Sequence, residues 1–352
     1  MYYLVPQRMI LLKVIDKRRR LLLPDPLPLT RPHRKAVMLT FLEEKQALLY
    51  GLIILLAMII GHAFNDKISL LIPLITGALA TLMFSMFAQI PFLALTQAFQ
   101  HQRFFIALGI SNYLIVPLII ALLLQIFPLE TTLKIGVLFV LLTPCIDYVV
   151  VFTKLGKGDA VLMLSATPFL FITQMLLLPF YLWLFLDKAA ASLIEFTPFV
   201  STFIQMIVIP FVLAMLLQYF AKKCRRFATL HALSAWLPVP FMAIVLFLIV
   251  STQIPLILEN ASRIISVIPL YIGFMILTFI AAYLLGRSAH FPPAITRTLI
   301  FSTGTRNSLA VLPFAFALPA DIAGIVAAVI VTQTLVELLG ELVYTKITPH
   351  IQ

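Results

Sequence analysis

Charge is scarce in this chain. Charged side chains make up 11% of its 352 residues, against about 25% in an ordinary soluble domain. Hydrophobic residues make up 62%, where a soluble domain holds roughly 45–50%. A water-soluble fold of this length could not hide that much apolar surface, so the deficit excludes one. Cysteine is scarcer still. Cys145 and Cys224 are too few for a disulfide scaffold or, alone, for a metal site, and neither metal nor cofactor is expected. Histidine is missing from the middle of every apolar run, since His62 and His290 fall near run ends. An intramembrane thiol enzyme built on Cys145 would therefore lack an obvious base, and the chain reads as no enzyme. The strict alternation of barrel strands is absent. So is a cleavable leader, because Ile10–Ile15 is too short and no small-residue cleavage site follows it.

What is present is a series of apolar runs, most of them near the ~20 residues that a span needs. They fall at about 47–64, 70–90, 104–127, 133–152, 160–186, 196–220, 235–254, 264–285, 295–316 and 322–344. In lipid the backbone must satisfy its own hydrogen bonds, so these runs read as helices. The expectation is an all-α membrane protein of about ten transmembrane helices. Residues 1–46 would be a basic, proline-bearing cytoplasmic tail, with Met38 as an alternative start. Residues 47–345 would be the helical body, and 346–352 a short cytoplasmic C-terminus.

The net charge of +11 suggests a nucleic-acid partner until its placement is read. One set of alternate connections, with the C-terminus, carries Arg103, Lys154, Lys157, Lys222, Lys223, Arg225, Arg226, Arg287, Arg297 and Lys346. The other set carries only Lys67, Lys134, Lys188 and Arg263. That asymmetry argues for a lipid bilayer and against nucleic acid. By the positive-inside rule it places both termini in the cytoplasm of a multi-pass cell (inner) membrane protein. A faint repeat runs through the body. Gln253-Ile254-Pro255 follows Gln89-Ile90-Pro91 by 253 − 89 = 164 residues. Halves of five runs each must be inverted relative to one another, an arrangement found in many secondary transporters.

Two runs look broken, the fourth at Thr143-Pro144-Cys145 and the ninth at Ser302-Thr303-Gly304-Thr305, with Pro313 beyond. Proline removes a backbone donor and glycine loosens the helix. Interrupted helices in matching halves point to a substrate site. Ionisable residues mark the same places. Asp147, Arg306, Glu337 and Glu341 lie within runs, where each charge costs about 2.5–3.5 kcal/mol on insertion scales. Arg306 is expected to pair with Glu337 or Asp147. Glu341 shares a helix face with Glu337, though it can equally sit at the cytoplasmic interface. Cys145, beside the first break, would suit a soft, thiophilic solute. The candidate substrate-binding residues are thus Thr143, Cys145, Asp147, Ser302, Thr303, Arg306, Asn307 and Glu337. Asn112, Tyr113, Tyr148, Thr305, Thr332 and Gln333 are weaker polar neighbours.

These residues carry a resemblance. The stretch from Leu142 to Asp159 (LTPCIDYVVVFTKLGKGD) resembles the fourth span of the bile acid:sodium symporter and arsenical-resistance superfamily. Phe301 to Ser308 (FSTGTRNS) and Leu335 to Gly340 (LVELLG) resemble it too. The resemblance implies a ten-helix secondary transporter with broken fourth and ninth helices and no catalytic function. Its arsenite-efflux branch implies roles for Cys145 and Glu337. That branch's Arg-Cys pair is here Pro144-Cys145, and its Asn-Asn-Phe-Glu reads Arg306-Asn307-Ser308-Leu309. In the bile acid branch a sodium-site glutamate and glutamine are expected where Ser302 and Arg306 stand, while its asparagine matches Asn307. Two transport readings follow. One is efflux of arsenite or a related small solute, sodium-independent or proton-coupled. The other is sodium-coupled uptake of an organic anion.

Overall fold

The computed structural model describes residues 49–64, 71–89, 101–145, 148–187 and 196–351. The head, residues 1–46, lies outside them, as do Ile90, Pro91 and Asp147. Among the described residues every regular element is a helix, and there is no strand. In chain order the helices are α1 (Leu49–Ala63), α2 (Ile72–Gln89), α3 (Gln102–Ile126) and α4 (Thr131–Leu141). Next come α5 (Val149–Leu155), α6 (Ala160–Phe185), α7 (Val200–Ala221), α8 (Arg225–Ser234) and α9 (Pro238–Glu259). The last are α10 (Ala261–Ser288), α11 (Pro293–Gly304), α12 (Ser308–Phe316) and α13 (Ala320–Ile347).

Five of these, α3, α7, α9, α10 and α13, are long and apolar enough to cross a membrane. Helix α6 makes a sixth if its halves, bent by 65° between Phe171 and Leu176, form one span. Fewer than ten qualify partly because two apolar runs are cut, one after Leu141 and one after Gly304. The composition puzzle resolves along α10. Leu270, Phe274, Met275, Thr278 and Ala282 are buried, while Ile272, Ile276, Ile280 and Leu284 form an exposed stripe at helical spacing. Both faces are apolar, one against protein and one for lipid, which a water-soluble helix does not combine.

Helix α13 is the central post, packed on α4, α9, α10 and α12. Its approach to α4 is close: a Cβ on Gly136 would come within 2.8 Å of Val329 Cγ1 and 3.1 Å of the Val326 carbonyl oxygen. Without water to drive apolar association, membrane helices gain from such intimate packing at small residues. Helices α3 and α7 each contain a π-helical turn, Ser111–Ile115 and Ile204–Val208. Each turn ends two residues before a proline, Pro117 and Pro210. The missing N–H of Pro117 frees the Tyr113 carbonyl, and the Tyr181 hydroxyl from α6 donates to it.

Candidate functional site

The site is built by two interrupted helices that meet at their interruptions. Pro144 cannot continue α4, and its ring disfavours helix at Thr143, so the helix stops at Leu141 and resumes only at Val149. Helix α11 stops at Gly304 and α12 begins at Ser308. Backbone groups freed at membrane depth need partners inside the protein, and the two breaks supply them to each other. The Cys145 N–H donates to the Thr305 carbonyl at 3.2 Å, and the Asn307 N–H donates to the Thr143 carbonyl at 2.7 Å. Pro144 and Arg306 form an isolated antiparallel bridge between them. The Asn307 side chain caps α12, its Oδ1 accepting from the Ala310 N–H at 3.1 Å. The Thr143 hydroxyl returns to the Phe139 carbonyl at 2.9 Å.

Arg306 is fully buried, at 0% exposure, and its two ends face different ways. Its guanidinium donates through Nη1 to the Leu141 carbonyl at 3.3 Å. Through Nη2 it donates to Asn112 Oδ1 at 2.9 Å, to the Ser302 carbonyl at 3.0 Å and to the Thr303 carbonyl. Leu141, Ser302 and Thr303 end α4 and α11, where carbonyls have no intrahelical donor. The positive charge therefore sits at two negative helix ends at once. The Phe274 ring lies beneath it, 5.6 Å from the guanidinium carbon to the centroid. Among the described residues no carboxylate comes within 4.0 Å of the guanidinium. Glu337 instead takes the backbone: the Arg306 N–H donates to its Oε2 at 2.8 Å. The expected alternative partner, Asp147, lies outside the described residues.

Glu337 is enclosed by donors. Besides the Arg306 amide, it receives the Tyr148 hydroxyl on Oε1 at 2.6 Å and the Gln333 amide on Oε2. Tyr148 also reaches the Arg306 carbonyl at 3.1 Å. Glu341, one turn further along α13, is buried just as completely. Its Oε1 lies 2.7 Å from the Thr305 hydroxyl, and its Oε2 has no partner among the described residues. Ser302 faces the Asn112 amide at 3.4 Å, and the Thr303 hydroxyl meets that of Ser111.

Thr143, Cys145, Ser302, Thr303, Arg306, Asn307 and Glu337 are all buried at or against this one crossing. The sequence reading did not single out Ser111, Ser308 or Thr334. The last two join hydroxyls at 2.7 Å on the wall of a crevice between α1, α9, α12 and α13, with Ile54, Val250 and Leu312 beside them. Its volume is about 10 Å³, room for a single water. The one signal for that pair was hydroxyls inside otherwise apolar runs, which is common in membrane helices.

The Sodium Bile acid symporter family model matches residues 76–260, more than half of the chain. This chain belongs to that family. No curated protein matches it. As a member of the sodium bile acid symporter family, the chain is a multi-pass membrane transporter of a small solute. The matched stretch includes Asn112, Thr143 and Cys145 and ends before Arg306, Asn307 and Glu337.

Proposed function

We propose that the chain is a sodium-independent, proton-coupled secondary transporter that exports arsenite or a related small solute. The position of the Arg306 guanidinium carries the sodium-independence. A sodium ion is bound by neutral and anionic oxygens, and here the carbonyls of Leu141, Ser302 and Thr303 and the Asn112 amide oxygen already face a cation belonging to the protein. Arginine does not deprotonate in proteins and offers only donors, so a sodium ion a few ångströms away would be repelled. Proton coupling is supported by Glu337 and Glu341, two buried acids with no lysine or arginine side-chain nitrogen within 4.0 Å among the described residues. The substrate class comes from the family resemblance and from the buried thiol of Cys145, whose chemistry suits a thiophilic species.

The same reading includes ten spans in two inverted repeats. The bridged residues stand 306 − 144 = 162 positions apart, close to the 164 of the Gln-Ile-Pro pair, and antiparallel pairing is what a two-fold axis in the membrane plane produces. Both termini are placed in the cytoplasm on the loop charges.

The test is flux of labelled arsenite in liposomes holding the full chain, with sodium replaced by potassium or choline. Equal rates are expected, and steep sodium dependence would overturn the reading. A second reading, sodium-coupled symport of an organic anion, is favoured by the family description itself and by the apolar crevice edged with the Ser308 and Thr334 hydroxyls. Sodium-driven uptake of a labelled bile acid in the same vesicles would select it.

A further inference from the structure

We propose that Glu341, not Glu337, is the protonated acid of the crossing and the group that exchanges a proton with water when the crossing opens. The assignment rests on the proton-coupled reading above, and it starts from counting hydrogens. Thr305 has one hydroxyl proton and two neighbours, the Phe301 carbonyl at 2.6 Å and Glu341 Oε1 at 2.7 Å. If Glu341 is ionised, both neighbours only accept, and one proton cannot serve both. If Glu341 carries a proton on Oε1, the chain closes: Glu341 donates to Thr305, and Thr305 donates to Phe301. The second oxygen agrees, since Oε2 is buried without a donor, a costly place for ionised oxygen.

Glu337 differs at its second oxygen. Its Oε2 receives two N–H donors, the Arg306 amide at 2.8 Å and the Gln333 carboxamide, which suits an acceptor-only carboxylate. At Oε1 the Tyr148 hydroxyl, like that of Thr305, has one proton for two acceptors, the carboxylate and the Arg306 carbonyl. The charged and titratable groups around Glu341 are Glu337 and Tyr344 on α13 and Arg306 in the crossing. Helix α10 adds Tyr271, whose hydroxyl donates to the Val329 carbonyl at 3.1 Å. Tyr148, just before α5, is bound to Glu337. Helix α5 itself carries Lys154, in its last turn. Helices α4 and α9 offer Lys134 and Glu259, away from the crossing, and α12 has no ionisable group. With Glu337 ionised beside Arg306, a second carboxylate one turn away would have no cation of its own, whereas a neutral acid needs none. On opening, the O–H bond of Glu341 breaks, water takes the proton and the carboxylate stays behind.

Infrared spectra of the purified full chain in lipid test this without a substrate. A carboxylic-acid carbonyl band is expected at neutral pH, shifting in D2O, lost in Glu341→Gln and kept in Glu337→Gln. Glutamine mimics the neutral acid in size, so folding should survive. Thr305→Val, which removes the hydroxyl that accepts from Glu341 and donates to the Phe301 carbonyl, should move the band. No band in the wild type, a band that persists in Glu341→Gln or ignores Thr305→Val, or a proton that never exchanges with D2O would each overturn the proposal. In inverted vesicles, Glu341→Gln should lose acceleration of arsenite flux by a pH gradient, and retained acceleration would also overturn it. If the wild type moves no arsenite, the proposed substrate fails while the infrared result still judges the acid.

Discussion

Arg306 concentrates the chemistry of this protein in one side chain. Removing its guanidinium would leave the carbonyls of Leu141, Ser302 and Thr303 facing a void, each at a cost of about 1–3 kcal/mol for an unpaired buried polar group. Arg306→Gln should therefore lower the melting temperature in detergent. Because these three carbonyls and Asn112 Oδ1 then lose their cation, added sodium should restore part of the loss, whereas wild-type protein should show no sodium effect. Parallel melts in sodium and choline chloride decide it, and an equal response of both proteins would remove the fixed-cation idea. Cys145 carries the second prediction at this scale. Cys145→Ser should abolish arsenite protection in cells while expression stays unchanged, and a fully protective serine variant would show the thiol to be unnecessary. Both residues were conspicuous in the sequence, since an arginine or a lone cysteine beside a helix breaker stands out in an apolar run. Which atoms of Arg306 meet Glu337 was not legible. Side chain and backbone N–H belong to the same letter, and only the non-helical stretch between α11 and α12 sends them apart.

At the scale of the helix, prolines decide where backbone bonds are lost and other elements recover them. Pro144 and Gly304 announced the breaks in the sequence, but their meeting did not show there, because no local pattern encodes a pairing across so many residues. The π turn of α3 went unread for a different reason. Pro117 was visible, yet the neighbour that accommodates it, Tyr181, lies on α6. That contact makes a two-variant test. Tyr181→Phe leaves the Tyr113 carbonyl unpaired and should cost about 1–3 kcal/mol. Pro117→Ala supplies an N–H in the right place, so the double variant should be less damaged than Tyr181→Phe alone. Thermal unfolding of the wild type, both single variants and the double measures the coupling, and simple additivity would deny the exchange.

For the molecule as a whole, composition and run length placed the chain in the membrane, and the family match agrees. The count of spans was harder to read, because a broken run and a continuous one look alike when hydrophobicity is averaged along the chain. Orientation has a direct probe. The chain has two cysteines, of which Cys145 is buried and Cys224 exposed just before α8, among Lys222, Lys223, Arg225 and Arg226. An impermeant thiol reagent should label Cys224 in inverted vesicles and leave it untouched in whole cells, and the reverse pattern would invert the topology. Chain length is also constrained unequally along the sequence. Because Pro144 and Arg306 are bridged, one extra residue in either turn slips the register of both, sending Arg306 away from the carbonyls and Glu337 away from the amide. Insertions are therefore tolerable in the connections between helices but not in these two short turns, and a change of length in one turn can persist only with a matching change in the other.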